Sequence, residues 1–174
     1  GRPLDASSAA RPLPREEQAP ALLEVQGLSR AGVFDHIDFA IQSGEILGLS
    51  GLVGAGRTEI ARAIFGLDPI DTGSITLDGQ PMPEGFQIHD AMDRGMALVP
   101  EDRQRQGLIL PESVEDNLTL PSLKAFSKFL GLDRDSRGKA AHGLIQRMGI
   151  KTAKPSSPAQ SLSGGNQQKI VLGK

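Results

Sequence analysis

Between Glu45 and Gly66 the chain reads EILGLSGLVGAGRTEIARAIFG, and no other stretch limits the possible folds as much. Ile46 to Ser50 is a short, largely apolar run of the kind a buried strand shows, whereas Ile60, Ala61, Ile64 and Phe65 recur at helical spacing. Gly51, Gly54 and Gly56, followed by Arg57 and Thr58, fit the phosphate-binding pattern GxxxxGK[ST] at every fixed position but one, where arginine replaces lysine. Phosphate oxygens must reach backbone N–H groups without side chains in the way, and the helix that follows must turn its positive end toward them. Leu52, Val53 and Ala55 complete that loop, and Thr58 would hold a magnesium ion. A glycine-rich turn between strand and helix, with no ligand, satisfies the same residues, so a second motif has to decide.

Composition excludes several alternatives. The 174 residues suffice for a core, and 38% hydrophobic with 23% charged residues is ordinary for a globular chain. No run approaches the roughly 20 apolar residues of a membrane-spanning helix, so a role at a membrane has to come through a partner. A formal charge of −2 leaves no basic footprint for nucleic acid. The absence of cysteine rules out disulfides and zinc–thiolate sites. The chain opens at Gly1 without an apolar targeting segment, as expected of a piece of something longer.

Residues 1–20 are rich in Pro, Ala, Ser and charge and read as a linker. Ala21 to Gln26 and Ile37 to Ile41 read as strands, and Gln42, Ser43 and Gly44 turn the chain into the strand before the glycine loop. Gly66 is a helix stop, Ser74 to Leu77 a strand, and Asp78-Gly79 a tight turn. Gln87 to Arg94 reads as a short helix ended by Gly95, and Met96 to Val99 as a further buried strand. Beyond Pro100 the pattern becomes helical, over Val114 to Leu120 and Arg134 to Met148, with Leu144, Ile145 and Met148 on one face and no strand expected between them. The reading is an α/β core over residues 21–100 and a helical lobe over residues 101–174.

The second motif is LSGGNQQK, Leu162 to Lys169. Ser163 can cap a helix starting near Gly165, and the pair Gly164-Gly165 leaves that helix's first amides open to an anion. Two phosphate-directed sites, the later one after a helical lobe, resemble the ATP-binding-cassette (ABC) ATPases, whose defining motif is LSGGQ. The resemblance covers Leu22 to Lys174. The wording GLVGAGRTE, VPEDR at Val99 to Arg103 and LSGGNQQK is similar to the second half of tandem ATPases that power bacterial importers of ribose, xylose, galactose and related sugars.

That resemblance implies a P-loop NTPase cassette, with a mixed sheet and a helical subdomain, that ends before the strand carrying the family's magnesium-binding and catalytic acids. It implies ATP and Mg²⁺ as cofactors. Gly51, Leu52, Val53, Gly54, Ala55, Gly56, Arg57, Thr58 and Glu59 would form the chain's own nucleotide site, while Ser163, Gly164, Gly165 and Asn166 would contact ATP held by a first cassette of the same polypeptide. Thr58 and Glu101 are the expected magnesium ligands. Glu101 stands where the family pattern has glutamine, so its value is in coupling nucleotide state to the membrane-spanning permease subunits more than in catalysis. Further implied partners are a periplasmic sugar-binding protein, reached indirectly, and no nucleic acid; the implied location is the cytoplasmic face of the bacterial inner membrane. Arginine cannot sit between phosphates as a compact ammonium does, so Arg57 is expected to allow binding more than turnover, and the 174 residues alone are expected to be inactive. With no Tyr or Trp in the chain, Phe34 is the nearest aromatic to an adenine site, but its spacing to Ile37 and Phe39 favours a core position. His36, His89 and His142 show no metal spacing. Two other readings stay open: an ABC ATPase of a non-transport system acting in translation or DNA repair, and a regulatory nucleotide-binding module without turnover. A nucleotide kinase would have the glycine loop but no use for LSGGNQQK.

Overall fold

The computed structural model describes residues 20–129 and 131–174, so the linker reading for residues 1–20 falls, except for Pro20, outside the described residues. Contacts divide the chain into two compact units between Leu98 and Val99.

In the first unit, β1 (Leu23–Arg30) is the central strand, paired antiparallel with β2 (Phe34–Ile41) on one side and β3 (Thr72–Leu77) on the other; β3 continues through a hairpin into β4 (Gln80–Pro81). The hairpin turns at Asp78 and Gly79, both with positive φ, the conformation that a two-residue turn between twisted strands requires. β1 bulges between Val25 and Leu28, and there β3 comes unusually close: a Cβ on Gly73 would lie 2.6 Å from both the Gly27 carbonyl oxygen and the Leu28 Cα. Only glycine can occupy that position. One face of the sheet is apolar, and α1 (Arg57–Ile64) is amphipathic, so Val25, Leu28, Phe34 and Ile75 bury themselves against Ile60, Ala63 and Ile64. An ion pair of Arg30 and Arg62 with Asp68 ties strand to helix, and the Arg62 guanidinium holds the Asp68 carboxyl below the usual carboxylate range. α2 (Ile88–Asp93) ends at Gly95, as its sequence predicts.

Two strand expectations are corrected. Neither Glu45–Ser50 nor Met96–Val99 forms a strand among the described residues. A strand exists through its ladder partners, and β1 already has a neighbour on each edge while the outer edge of β3 carries β4. Ile46 and Val99 lie open at 96% and 48% exposure, while Met96 packs half-buried on the core of the first unit without any ladder.

The second unit is built on α3 (Val114–Thr119), α4 (Arg134–Met148) and α5 (Gly164–Gly173), whose apolar faces enclose Val114, Leu118, Ile150, Ile170 and Val171, with Leu144, Ile145 and Met148 packed around them. Contrary to expectation the lobe also holds a small hairpin, β5 (Ser127–Lys128) with β6 (Gly131–Leu132), two residues a side and too short to register as alternation. Asp102 caps a single π-helical turn, Arg103–Gly107, by accepting from the Gln104 and Arg105 amides at 3.1 Å. Asn117 is buried and bridges α3 to the preceding loop, accepting from the Ile109 amide at 2.8 Å and donating to the Ile109 carbonyl at 2.9 Å.

α3 and α4 are joined by charge. Arg137 pairs with Asp116 and donates to the Thr119 hydroxyl at 2.7 Å, and Ser113 hydrogen-bonds the same carboxylate while capping α3. The Ser113 hydroxyl, with the Arg137 guanidinium second, holds the Asp116 carboxyl below the usual range. A carboxyl depressed in the folded state stabilises above its unfolded value, about pH 4, and that contribution is lost as pH falls through the lower folded value. We therefore expect thermal unfolding of the chain to show an acid limb below about pH 4 that flattens in Asp116→Asn. An identical acid limb in the variant would refute the assignment.

Candidate functional site

Residues 51–59 form a glycine-rich turn that leads into α1. Gly54 and Gly56 take positive φ, and Ala55 closes the turn by donating its amide to the Leu52 carbonyl at 3.1 Å. Gly56 is both the left-handed N-cap of α1 and a point of close approach: a Cβ there would lie 2.9 Å from the Val33 carbonyl oxygen. The loop is thus pressed against the β1–β2 turn. No side chain caps α1, so its first amides stay available to an anion, with Glu59 as a favourable acid in the first turn. Arg57 reaches back across the loop, its Nη2 donating to the Leu52 carbonyl at 3.3 Å. Leu52 and Val53 project into solvent at 86% and 101% exposure.

Beside this loop Ser29, Ala31, Val33, Asp71 and Thr72 line an open cleft of about 520 Å³, held in shape by the Ala31 amide donating to Asp71 at 2.7 Å. Phe34 also borders it, but at 8% exposure it belongs to the core, which favours the structural reading of that residue over a stacking platform.

In the second unit Ser163 occupies the N-cap of α5, which begins at Gly164, one residue from the expected start, but the serine side chain caps no backbone amide. Its Oγ instead accepts from the Asn166 side chain at 3.0 Å, while Asn166 Oδ1 accepts from the Lys151 amide at 2.9 Å. Asn166 diverts the serine because its own amide is one turn away and already fixed by the 149–151 turn. Gly165 is open, with nothing within 4 Å of where a Cβ would stand. The turn therefore exposes Ser163, Gly165 and the first amides of α5.

Glu101 lies exposed just before the π-helical turn. Thr58 is the second residue of α1, and the described residues contain no cluster of three His, Cys, Asp or Glu side chains able to hold a metal unaided. A hydroxyl such as that of Thr58 or a carboxylate such as that of Glu101 is the kind of oxygen donor magnesium accepts, while it keeps several waters and takes its other ligands from phosphate. His36 and His89 are exposed beside Asp38 and Asp90, and His142 contacts Gln146.

Gln167 is the residue that sequence reasoning passed over. It is only 4% exposed and donates to the Ala159 and Leu162 carbonyls, both at 3.3 Å. A signal was present: Gln167 precedes the buried Ile170 and Val171 by three and four residues, the spacing of one helix face.

Residues 34–174 match the family described as ABC transporter. The ribose import ATP-binding protein RbsA 2 of Streptomyces coelicolor is 44% identical over 163 residues, covering 94% of this chain and 31% of that protein. The ribose import ATP-binding protein RbsA of Bacillus licheniformis is 45% identical over 153 residues, covering 88% of this chain and 31% of that protein. The chain thus spans about a third of the length of these relatives. Among solved structures, a dimeric ATP-binding cassette in a post-hydrolysis state bound to ADP and phosphate superposes with a TM-score of 0.69 at 17% identity, covering 87% of this chain and 67% of that one. The fold is that of an ABC ATPase cassette, present in part: a sheet unit with a phosphate loop and a helical unit.

Proposed function

We propose that this chain, which belongs to the ABC transporter family, is the second ATP-binding cassette of a tandem importer ATPase and couples ATP binding and hydrolysis to uptake of a small sugar, ribose or a related monosaccharide. The observation that carries this reading is the pair of glycine-opened helix N-termini, α1 after Gly56 and α5 after Ser163, neither closed by a side-chain cap on its own backbone. One is suited to the chain's own nucleotide, the other to nucleotide held by a preceding cassette. The names of the relatives supply the sugar, and the full-length protein supplies the setting: permease subunits in the membrane, a periplasmic binding protein beyond them, and a peripheral position on the cytoplasmic face. Among the described residues no helix is long and apolar enough to cross a membrane.

In this reading residues 51–59 hold the phosphates through backbone amides, and Thr58 and Glu101 are the protein's ligands to magnesium, which neutralises charge on the phosphate oxygens when bound. Arg57 contributes positive charge, but it spends one guanidinium nitrogen on the Leu52 carbonyl and has a wider head than lysine. Binding with poor turnover follows. The loss of ~3 kcal/mol of transition-state stabilisation slows chemistry by roughly two orders of magnitude, while the amides that bind ground-state phosphate are unchanged.

Transport by the full-length protein tests this. Arg57→Lys is expected to leave transport within about twofold of the parent, and removal of the corresponding lysine in the first cassette to abolish it. Equal and complete loss of transport in Arg57→Ala would show that the Arg57 site is itself catalytic.

A further inference from the structure

The π-helical turn Arg103–Gly107 lies along α5 from its first turn to its last. At the start of the helix the Arg103 guanidinium rests on Gly164, where a Cβ would come within 2.8 Å of Nη2; Arg103 Nε is buried and meets no hydrogen-bond partner. Among the described residues, packing on Gly164 sets that arginine's place. At the far end Gly107 packs on Val171, and Lys174 Nζ donates to the Gly107 carbonyl at 2.6 Å. Between them Gln104 Nε2 donates to Gln167 Oε1 at 3.3 Å. The orientation of the Gln167 amide is forced: two backbone carbonyls face its nitrogen, so its oxygen can only face Gln104 and can only accept.

We propose that Gln104 and Gln167 are positioning residues, through which the 103–107 turn sets the geometry of the phosphate-directed turn 162–166. Gln167 holds the carbonyl of Leu162, the residue just before the N-cap, and so fixes the direction in which the chain enters α5. Gln104 is the arm that fixes Gln167. Any rotation of the turn following Glu101 is then transmitted to the amides of Gly164 and Gly165 through one side-chain bond and the Arg103 contact. This rests on the reading of residues 162–166 as a nucleotide-facing turn.

The required chemistry at position 104 is a donor, which makes the test selective. In the full-length protein, Gln104→Ala and Gln104→Glu are expected to lower kcat for ATP about five- to tenfold, the worth of one hydrogen bond, with KM within about twofold. Gln104→Lys, whose ammonium can donate to Gln167 Oε1, is expected to retain most of the parent kcat. Amide hydrogen exchange over residues 162–167 is expected to quicken about five- to tenfold in the first two variants and to stay near the parent rate in the third. Unchanged exchange and turnover in Gln104→Ala would overturn the proposal, and so would a Lys variant as impaired as the Ala variant. Faster exchange with unchanged turnover would overturn the functional role. Retained turnover in a folded Gly165→Asp variant would sink the nucleotide reading itself, separately from the contact.

Discussion

Gly165→Asp in the full-length protein is expected to remove ATP turnover by a factor of about a hundred to a thousand while leaving the fold intact. The structural half follows from space and charge. Nothing lies within 4 Å of where the new Cβ would stand, Gly165 has an ordinary helical backbone, and an acid in the first turn of a helix is favourable by about 0.3–1 kcal/mol. The functional half follows from the same charge seen by phosphate. A carboxylate about 4 Å from a phosphate oxygen at an effective dielectric near 20 opposes it by ~4 kcal/mol, which converts to roughly three orders of magnitude in rate. Nucleotide binding at the other cassette's phosphate loop is expected to survive, since its amides are untouched. The measurements are steady-state turnover, nucleotide binding and the unfolding midpoint of the same variant. Undiminished turnover with an unchanged midpoint would refute the proposed approach of α5 to ATP.

Helices and turns were legible in the sequence because their causes are local. α4 runs over Arg134–Met148 as its periodicity indicates, Gly149 ends it with positive φ, and Asp78-Gly79 makes the hairpin that dipeptide favours. The glycine-rich turn into α1 was legible for the same reason: its glycines and the amphipathic helix carry their own instructions. What was not legible depends on partners far away in sequence. Asn166 takes Ser163 away from capping because the 149–151 turn holds the other end of its amide, and Gln104 and Gln167 meet across 63 positions. No window of a dozen residues contains either fact. The strands read at Ala21–Gln26, Ile37–Ile41 and Ser74–Leu77 lie within or overlap β1, β2 and β3, whereas those read at Glu45–Ser50 and Met96–Val99 failed, since an apolar run records a preference for burial and not the presence of a neighbour to bury it.

That last failure leads to the expectation that Glu45–Ser50 is unprotected in the 174-residue chain and protected at least about a thousandfold in the full-length protein. Here the segment has no ladder, and its side chains are open, with Leu47 and Leu49 at 39% and 44% exposure and Ile46 almost fully so. Apart from the Glu45 amide, which donates to the Gln42 carbonyl at 3.1 Å, the amides of this segment have no ladder partner, so exchange at nearly the unfolded rate is the physical default. We propose that other parts of the full-length protein supply strands that lie between Glu45–Ser50 and Met96–Val99, converting both into the parallel strands that their composition suits. The phosphate loop begins at the end of the first of these segments. A loop anchored at α1 but not at its entering strand can wander on that side, and displacements of an ångström or so cost catalysis about a hundredfold. The chain alone is therefore expected to show no magnesium-dependent ATP turnover above background. Turnover by the purified 174 residues, or strong protection of residues 45–50 within them, would be the decisive contrary result, because either would mean that the entering segment finds its order without those neighbours.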